Sequence, residues 1–190
     1  PTVDTAFIHQ FGMDLRLSAR TASFAPFSLQ DLAAGMRIEN GRASFDVGDS
    51  TFLDGRMTGR IALAEDGFRG GGQVQMSLSN VDIGAIVSTL ALPGPLPSGI
   101  GSADFELSTA RPLWATSASD MSGRFRLRMG SGTLTHFNRQ AFEERAAKNT
   151  FFNISEAAGG SFDFVRADVE ARLDRGLAEL TKAEIEGNEK

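Results

Sequence analysis

Carboxylate pairs are the side chains of this sequence best suited to catalysis. Glycoside hydrolysis needs two acids about 5 to 9.5 Å apart across a cleft, and Asp104 and Glu106 alternate along one run, ADFELS. A second group, Asp46, Asp49 and Asp54, lies in DVGDSTFLDG. Acids that alternate along a strand are typical of its solvent face, and the aspartate group lacks the spacing and terminal Glu of a calcium loop. We therefore expect neither group to form a catalytic or calcium site.

Other chemically active residue types are scarce. The 190-residue chain has no cysteine and only two histidines, His9 and His136, which leaves few ligands for zinc and few bases for a Ser-His-Asp arrangement. We expect His136 to be a packed or edge histidine. The triple glycine at 70–72 precedes a strand pattern, whereas a phosphate cradle precedes a helix, so it predicts a hairpin loop or bulge. These features favour a non-enzymatic protein without a cofactor or metal site.

The composition is that of an ordinary globular domain. Hydrophobic residues make up 41% and charged residues 23% of the chain, which argues against disorder. The net charge of −5 disfavours nucleic acid as a partner, because a phosphate-binding surface needs a basic excess. The length suits a single domain over residues 1–190. The sequence has no apolar run long enough to span a bilayer. Because the sequence begins in mid-pattern, we expect a longer protein whose targeting segment lies upstream.

The elements that must position these residues are strands. In GMRIENGRASFDV, residues 35–47, an Asn-Gly pair supplies the positive φ angles of a type I′ hairpin. This turn predicts a register in which Met36 faces Phe45 and Ile38 faces Ala43. One face of the hairpin is then apolar and the other polar.

The same pattern predicts two further hairpins, with turns at Gly130-Ser131 and near Arg175-Gly176. Shorter alternating stretches predict strands at 13–19, 57–64, 73–79 and 103–108, with turns at Asp54-Gly55 and Asp66-Gly67. The predicted pairs are Leu127 with Leu134 and Phe125 with His136 in the second hairpin, and Leu173 with Ala178 and Ala171 with Leu180 in the third.

Short helices interrupt the strands. VDIGAIVSTL, capped by Asp82, and NRQAFEERAAK, capped by Asn138, have helical signals, and RPLWATSASD has Pro112 in its first turn. Residues 92–101, LPGPLPSGIG, predict a rigid surface connection and a candidate junction between two halves of one sheet. The predicted fold class is mostly β: a curved or taco-like antiparallel sheet with a few short helices.

One face of such a sheet is apolar throughout. If helices cover this face it is a core, and if they do not it is an apolar groove that can hold lipid; the sequence leaves both open. Arg124, Arg126 and Arg128 alternate on the opposite face, where a charged outer surface that blocks edge pairing is favoured over a site for lipid headgroups. The candidate lipid-facing residues are Met36, Ile38, Phe45, Val47, Ile61, Leu63, Val74, Met76, Leu78, Phe105, Leu107, Phe125 and Leu127.

Two stretches resemble the C-terminal region of the AsmA-like family of bacterial envelope proteins. They are SDMSGRFRLRMGSGTLTHF, residues 119–137, and SFDFVRADVEARLDRGLAELTKAEIEG, residues 161–187. Residues 15–63 are similar to the family's looser pattern of strand, Leu-x-Asp-Leu, strand, Asn-Gly, strand, Gly and strand. The chain departs from the family at Ser161, where threonine is common, and in the longer stretch at 150–160.

The resemblance implies a periplasmic domain of a protein anchored in the bacterial inner membrane. Relatives form elongated β-structures with an apolar channel, and are implicated in phospholipid transport and outer-membrane biogenesis; the family has no catalytic motif to transfer. The implied partners are phospholipid or another envelope lipid, envelope proteins and adjacent domains of the same chain. Two alternatives stay open: a structural scaffolding module that binds no lipid, and a carbohydrate-binding β-sandwich, for which Trp114 is the sole tryptophan.

Overall fold

A computed structural model of the chain describes residues 12–63, 70–91, 95–112, 115–148 and 154–187. Its strands form one antiparallel sheet of nine strands in chain order, open between the first and the last. The predicted fold class is confirmed. The strands are β1 (Met13–Phe24), β2 (Phe27–Glu39), β3 (Arg42–Phe52), β4 (Gly55–Leu63), β5 (Gly72–Asp82), β6 (Leu96–Thr109), β7 (Met121–Thr135), β8 (Ser161–Asp174) and β9 (Leu177–Gly187).

Two short α-helices follow β5 and β7, and both lie at the same end of the sheet. Helix α1 (Ile83–Thr89) begins after Asp82, whose carboxylate accepts a hydrogen bond from the backbone N–H of Ala85. Helix α2 (Arg139–Ala146) begins after Asn138, which caps it in the same way. Both predicted caps are confirmed, because each side chain satisfies one of the N–H groups that a helix start leaves unpaired.

The hairpin between β2 and β3 is confirmed in its turn and in its register. Asn40 and Gly41 have φ angles of 50° and 75°, as a type I′ turn requires. Met36 lies opposite Phe45, and Ile38 lies opposite Ala43. The hairpin between β8 and β9 is confirmed as well, with its turn at Arg175-Gly176 and the predicted pairing of Leu173 with Ala178.

The hairpin predicted at Gly130-Ser131 is wrong. Strand β7 runs without a break through both residues and pairs with β6 on one side and β8 on the other. His136, predicted opposite Phe125, is exposed just beyond the strand with a φ of 58°. The observed partners are Ala103 and Val169 for Leu127, Pro97 and Phe162 for Leu134, and Phe105 and Ala171 for Phe125.

Two glycines of β7, Gly123 and Gly132, permit close packing, and Gly130 does not form a turn. Gly130 lacks the positive φ of a two-residue hairpin turn. A Cβ atom at Gly132 would lie 2.7 Å from the ring of Phe164, and one at Gly123 would overlap the backbone carbonyl of Glu106. Glycine inside a strand commonly marks such a close approach. The stretch 119–137 on which the family resemblance partly rests is therefore largely one strand.

Other local predictions are corrected by the structure. Residues 96–101 of the proline-containing segment form the start of β6 and not a connection, and β6 pairs directly with β5. In RPLWATSASD, the described residues have 3-10 geometry at Ala115 and at Ala118–Asp120, and they contain no α-helix. The turn predicted at Asp54-Gly55 lies one residue earlier, at Leu53-Asp54, because Gly55 already pairs with Phe52 as the first residue of β4. His9, Asp66-Gly67 and Trp114 lie outside the described residues.

Bulges at one level of the sheet change which positions face the core. The register shifts between Val47 and Ser50 in β3 and between Leu78 and Val81 in β5, and Asp31 and Asn80 have φ angles of 52° and 54°. A bulge inserts one extra residue, so the alternation of faces changes by one position and the strand bends. The main core forms beyond these bulges, at the end of the sheet that has the helices. Its buried residues include Leu29, Phe52, Val81, Ile83, Leu134 and Phe164.

Candidate functional site

The candidate lipid-facing residues lie on one face of the sheet, which we call the apolar face. Met36, Phe45, Ile61, Val74 and Leu107 are successive partners across β2 to β6. Directly paired residues of neighbouring strands present their side chains on the same face. A second row joins Val47 to Met76, Phe105 and Phe125 through Gly59, and a third joins Leu78 to Leu127 through Ala103.

Burial along the apolar face is uneven. Ile38, Leu63, Leu78 and Leu127 are buried, whereas the other candidate residues are only half-buried. The half-buried set lies between the helix end of the sheet and a small cluster around Ile38 at the other end. This part of the face is accessible to solvent in the described chain, and the rings of Phe105 and Phe125 lie at its centre, 4.9 Å apart.

The apolar face continues to both edges of the described sheet, beyond the predicted residues. In β1, Leu15 pairs with Met36 and is 53% exposed, and Leu17 is 58% exposed. In β9, Leu180 pairs with Ala171 and is 61% exposed. The same alternation of apolar and polar residues that identified the central strands is present in both edge strands, so this extension was detectable in the sequence.

Buried residues beyond the bulges were not predicted as part of the apolar face. Leu29, Phe52 and Val81 are each 5% exposed or less. Their positions do not continue the alternation of their strands, because the bulges interrupt it. The available signal was the presence of Asp31 and Asn80 inside apolar runs, since these residue types tolerate positive φ better than most.

A cavity of about 1120 Å³ lies between α2 and strands β7 to β9 on the apolar face. Leu134, Phe164 and Ile185 contribute apolar walls. At its rim the guanidinium of Arg139 lies 5.5 Å from the centre of the Phe162 ring, within the distance of a cation–π contact. The cavity therefore has an apolar interior, with the ion pair of Arg139 and Glu143 among its lining residues.

The opposite face, here called the polar face, has alternating charges. Arg124 is paired with Glu106, and Nη2 of Arg128 lies 3.1 Å from Oδ2 of Asp104. The arginine row of β7 thus lies on the polar face as predicted, and it neutralises the two carboxylates of β6. Asp104 and Glu106 point the same way but are engaged in ion pairs.

A groove of about 760 Å³ is lined by Asp104, Glu106 and Arg124 and by other residues from β4, β5 and β8. Grooves therefore lie on both faces of the sheet, although only an apolar groove was predicted. Sheets twist with a fixed hand, so a large open sheet can be concave along one diagonal on each face. The polar groove is lined by Arg60, Gln75, Asp104, Glu106, Arg124, Arg126, Glu170 and Arg172, among others.

The most buried charged group of the polar face is Asp168, which is 5% exposed. It accepts hydrogen bonds from Nζ of Lys182 at 2.8 Å and from Nη2 of Arg126 at 3.2 Å. The hydrogen bond from Lys182 has the largest effect, and together the two bonds hold the pKa of Asp168 below its ordinary value. The same bonds raise the pKa values of Lys182 and Arg126. A carboxylate held ionised in this way is suited to joining strands and poorly suited to proton transfer near neutral pH.

The aspartate group of β3 and its following turn does not converge on a point. Oδ1 of Asp46 lies 3.5 Å from Nε of Arg60, and Asp49 is paired with Arg56. Asp54 lies in the turn before β4 with a φ of 63°. Among the described residues no group of three or more His, Asp or Glu side chains is placed to hold a metal ion.

Comparisons with protein-family models, with curated proteins and with solved structures found no match for this chain. Neither α1 nor α2, nor any other helix in the described parts of the chain, has the length and apolar character needed to cross a membrane.

Proposed function

We propose that this domain is non-enzymatic and shields the acyl chains of phospholipid, or of another envelope lipid, on its apolar face. The observation that carries the proposal is the half-burial of the central residues of that face, from Met36 in β2 to Phe125 in β7. A sheet that buried this face in a completed core would leave these side chains buried like Leu78 and Leu127.

Energetics favour an occupant made of hydrocarbon. Each CH₂ group of an acyl chain that leaves water contributes about 0.8 kcal/mol, so a chain lying across several strands is held without polar contacts. The partly exposed rings of Phe105 and Phe125 provide an apolar surface at the centre of the face. The absence of a conspicuous chemical motif in the sequence is compatible with such a site.

We place the domain in an AsmA-like protein anchored in the bacterial inner membrane, with this part in the periplasm. The resemblance of residues 119–137 and 161–187 supports this assignment, as does the confirmed antiparallel sheet. The role we propose is in phospholipid transport and maintenance of the outer membrane, with envelope proteins and adjacent domains of the same chain as partners.

Native mass spectrometry of the purified protein after incubation with vesicles of phosphatidylethanolamine and phosphatidylglycerol tests the proposal. We expect bound phospholipid with the wild type, and its loss in the double variant Phe105→Gln with Phe125→Gln. The matched control is Glu106→Gln with Arg124→Gln, which changes the residue adjacent to each phenylalanine, on the polar face. It should bind lipid as the wild type does.

Circular dichroism must show that each variant is folded. If the phenylalanine variant unfolds, Val47→Thr with Val74→Thr provides a polar replacement of nearly the same shape on the same face. Repeated absence of lipid from folded wild-type protein would contradict the proposal and favour a scaffolding module. The carbohydrate-binding sandwich is less compatible with the fold, because the described strands form one sheet and a sandwich needs two.

A further inference from the structure

Strand β1 is an edge of the described sheet with few of the features that block pairing with another chain. Its 12 residues, Met13–Phe24, contain no proline and no lysine, and its partner in the sheet is β2. Its three charged residues, Asp14, Arg16 and Arg20, all lie on the polar face. None of its side chains is buried, and Leu15 and Leu17 are more than half exposed on the apolar face. Long edge strands with exposed apolar side chains are templates for pairing with a further strand.

The other edge, β9, is better protected. Nζ of Lys182 lies 2.8 Å from Oδ2 of Asp168 and 3.1 Å from Oε2 of Glu184, so ion pairs fix a charged side chain on this edge strand. The register also shifts between Glu170 and Ala171 of β8, where β9 has an extra residue. Charges and bulges are the usual devices that prevent pairing at an edge. An additional strand is therefore expected at β1.

We propose that β1 pairs with β1 of a second copy of this chain, antiparallel, about a two-fold axis at Leu17. In this register Leu17 faces Leu17 of the other copy, and Leu15 faces Ala19. On the polar face Asp14 lies opposite Arg20, and Arg16 lies opposite Ser18. Apolar side chains thus meet apolar ones, and each copy contributes one carboxylate and one guanidinium to pairs that form twice by symmetry.

Charge selects this register over its neighbours. Moving the axis to Arg16 would place Arg16 opposite itself, and moving it to Ser18 would place Arg16 opposite Arg20. Like charges directly opposite each other destabilise a strand pair. An axis at Leu15 would pair only residues 13–17 of the strand. An axis at Ala19 would place Asp14 opposite Phe24 and Arg20 opposite Ser18, so it would form no ion pair.

The surroundings of Arg20 in a single copy also favour the dimer with its axis at Leu17. No carboxylate among the described residues lies within ion-pair distance of its side chain, whereas Asp14 lies at 3.3 Å from Nη2 of Arg37 in its own copy. The dimer gives Arg20 a carboxylate opposite it. Because the two-fold axis is perpendicular to the sheet, both apolar faces lie on the same side, and Leu17 of each copy is covered by the other.

Sedimentation velocity of the full 190-residue chain in lipid-free buffer, over a range of concentrations, tests the proposal. We expect a reversible dimer. Asp14→Arg places arginine opposite Arg20, and Arg20→Asp places aspartate opposite Asp14, so each should raise the dimer dissociation constant about tenfold. The double variant D14R/R20D restores opposite charges and should bring the constant back close to the wild-type value.

A second pair of variants distinguishes the two edges. Leu17→Lys places two lysines at the axis and should abolish the dimer, whereas Leu180→Lys, at a similarly exposed position of β9, should leave it unchanged. A wild-type chain that stays monomeric at every concentration would overturn the proposal. So would a dimer that Leu180→Lys disrupts, or one that the single charge changes weaken and the double variant fails to restore.

Discussion

Nζ of Lys182 in β9 lies 2.8 Å from Oδ2 of Asp168 in β8, and this aspartate is 5% exposed. On its other side the same carboxylate accepts a hydrogen bond from Arg126 in β7. One buried carboxylate therefore joins three strands on the polar face, including the edge strand. Hydrogen bonds to a buried charge are strong, and removal of one partner leaves the others unpaired.

The Asp168 cluster predicts a pH-dependent stability. The pKa of Asp168 is lowered in the folded chain, so its contribution is present above the unfolded pKa of about 3.9 and is lost as the pH falls through the folded pKa. Asp168→Asn should therefore lower the free energy of unfolding at pH 7, and the difference from wild type should narrow at acid pH below about 4.

Urea unfolding at pH 7 and at pH 3 measures this difference. Asp46→Asn is the control, because it removes an exposed ion pair with Arg60 and exposed pairs contribute little. A difference between Asp168→Asn and wild type that is equally large at both pH values would show that the ionised carboxylate is not the source of the stability.

Two glycines of β7 should respond oppositely to alanine. A methyl group at Gly123 would overlap the backbone of β6 at Glu106, whereas nothing lies within 4 Å of a methyl group at Gly130. We expect Gly123→Ala to lower the free energy of unfolding by about 1–3 kcal/mol, as overpacking does. Gly130→Ala should raise it by about 0.4–1 kcal/mol, because alanine restricts the unfolded chain. Equal effects of the two changes in denaturant unfolding would contradict the close approach of β6 and β7.

The loss of stability on replacing a leucine of the apolar face by alanine should depend on how deeply that leucine is buried. Leu78 is 4% exposed in the main core, so Leu78→Ala should lower the free energy of unfolding by about 2–5 kcal/mol. Leu107 is half-buried at the centre of the face, and Leu107→Ala should have a clearly smaller effect, because its side chain is already partly in water. If thermal or urea unfolding shows equal losses for the two variants, the centre of the face is a closed core and lipid has no access to it.

The start of α1 predicts a helix-capping effect at Asp82. Its carboxylate accepts a hydrogen bond of 2.9 Å from the N–H of Ala85, and Asp82→Ala should lower the free energy of unfolding by about 0.5–2 kcal/mol. Asp82→Asn keeps an acceptor at the same place and should retain most of the stability. An equal loss in both variants, measured by denaturant unfolding, would mean that the cap bond does not stabilise α1.

The alternation of residue types determined the apolar face from the sequence by itself. Successive side chains of a strand point to opposite faces, so the two-residue period in β2 to β6 was enough to place Met36, Phe45, Ile61 and Val74 together. The hairpin at Asn40-Gly41 was equally local, because its register follows from the two φ angles of its turn. Helix starts at Asp82 and Asn138 depend on one side chain and the next few backbone groups.

Tertiary structure alone decided three features. The chain continues through Gly130-Ser131 as one strand and forms no turn there, because β6 and β8 pair with β7 on its two sides. The bulges that turn Val81 into the core depend on where neighbouring strands bend, and the burial of Asp168 depends on Lys182 and Arg126 arriving from two other strands. Each depends on contacts between residues distant in sequence, whose free energy is gained only when the strands meet. The local pattern of residue types therefore does not determine it, although Asp31 and Asn80 mark positions where a bulge is tolerated.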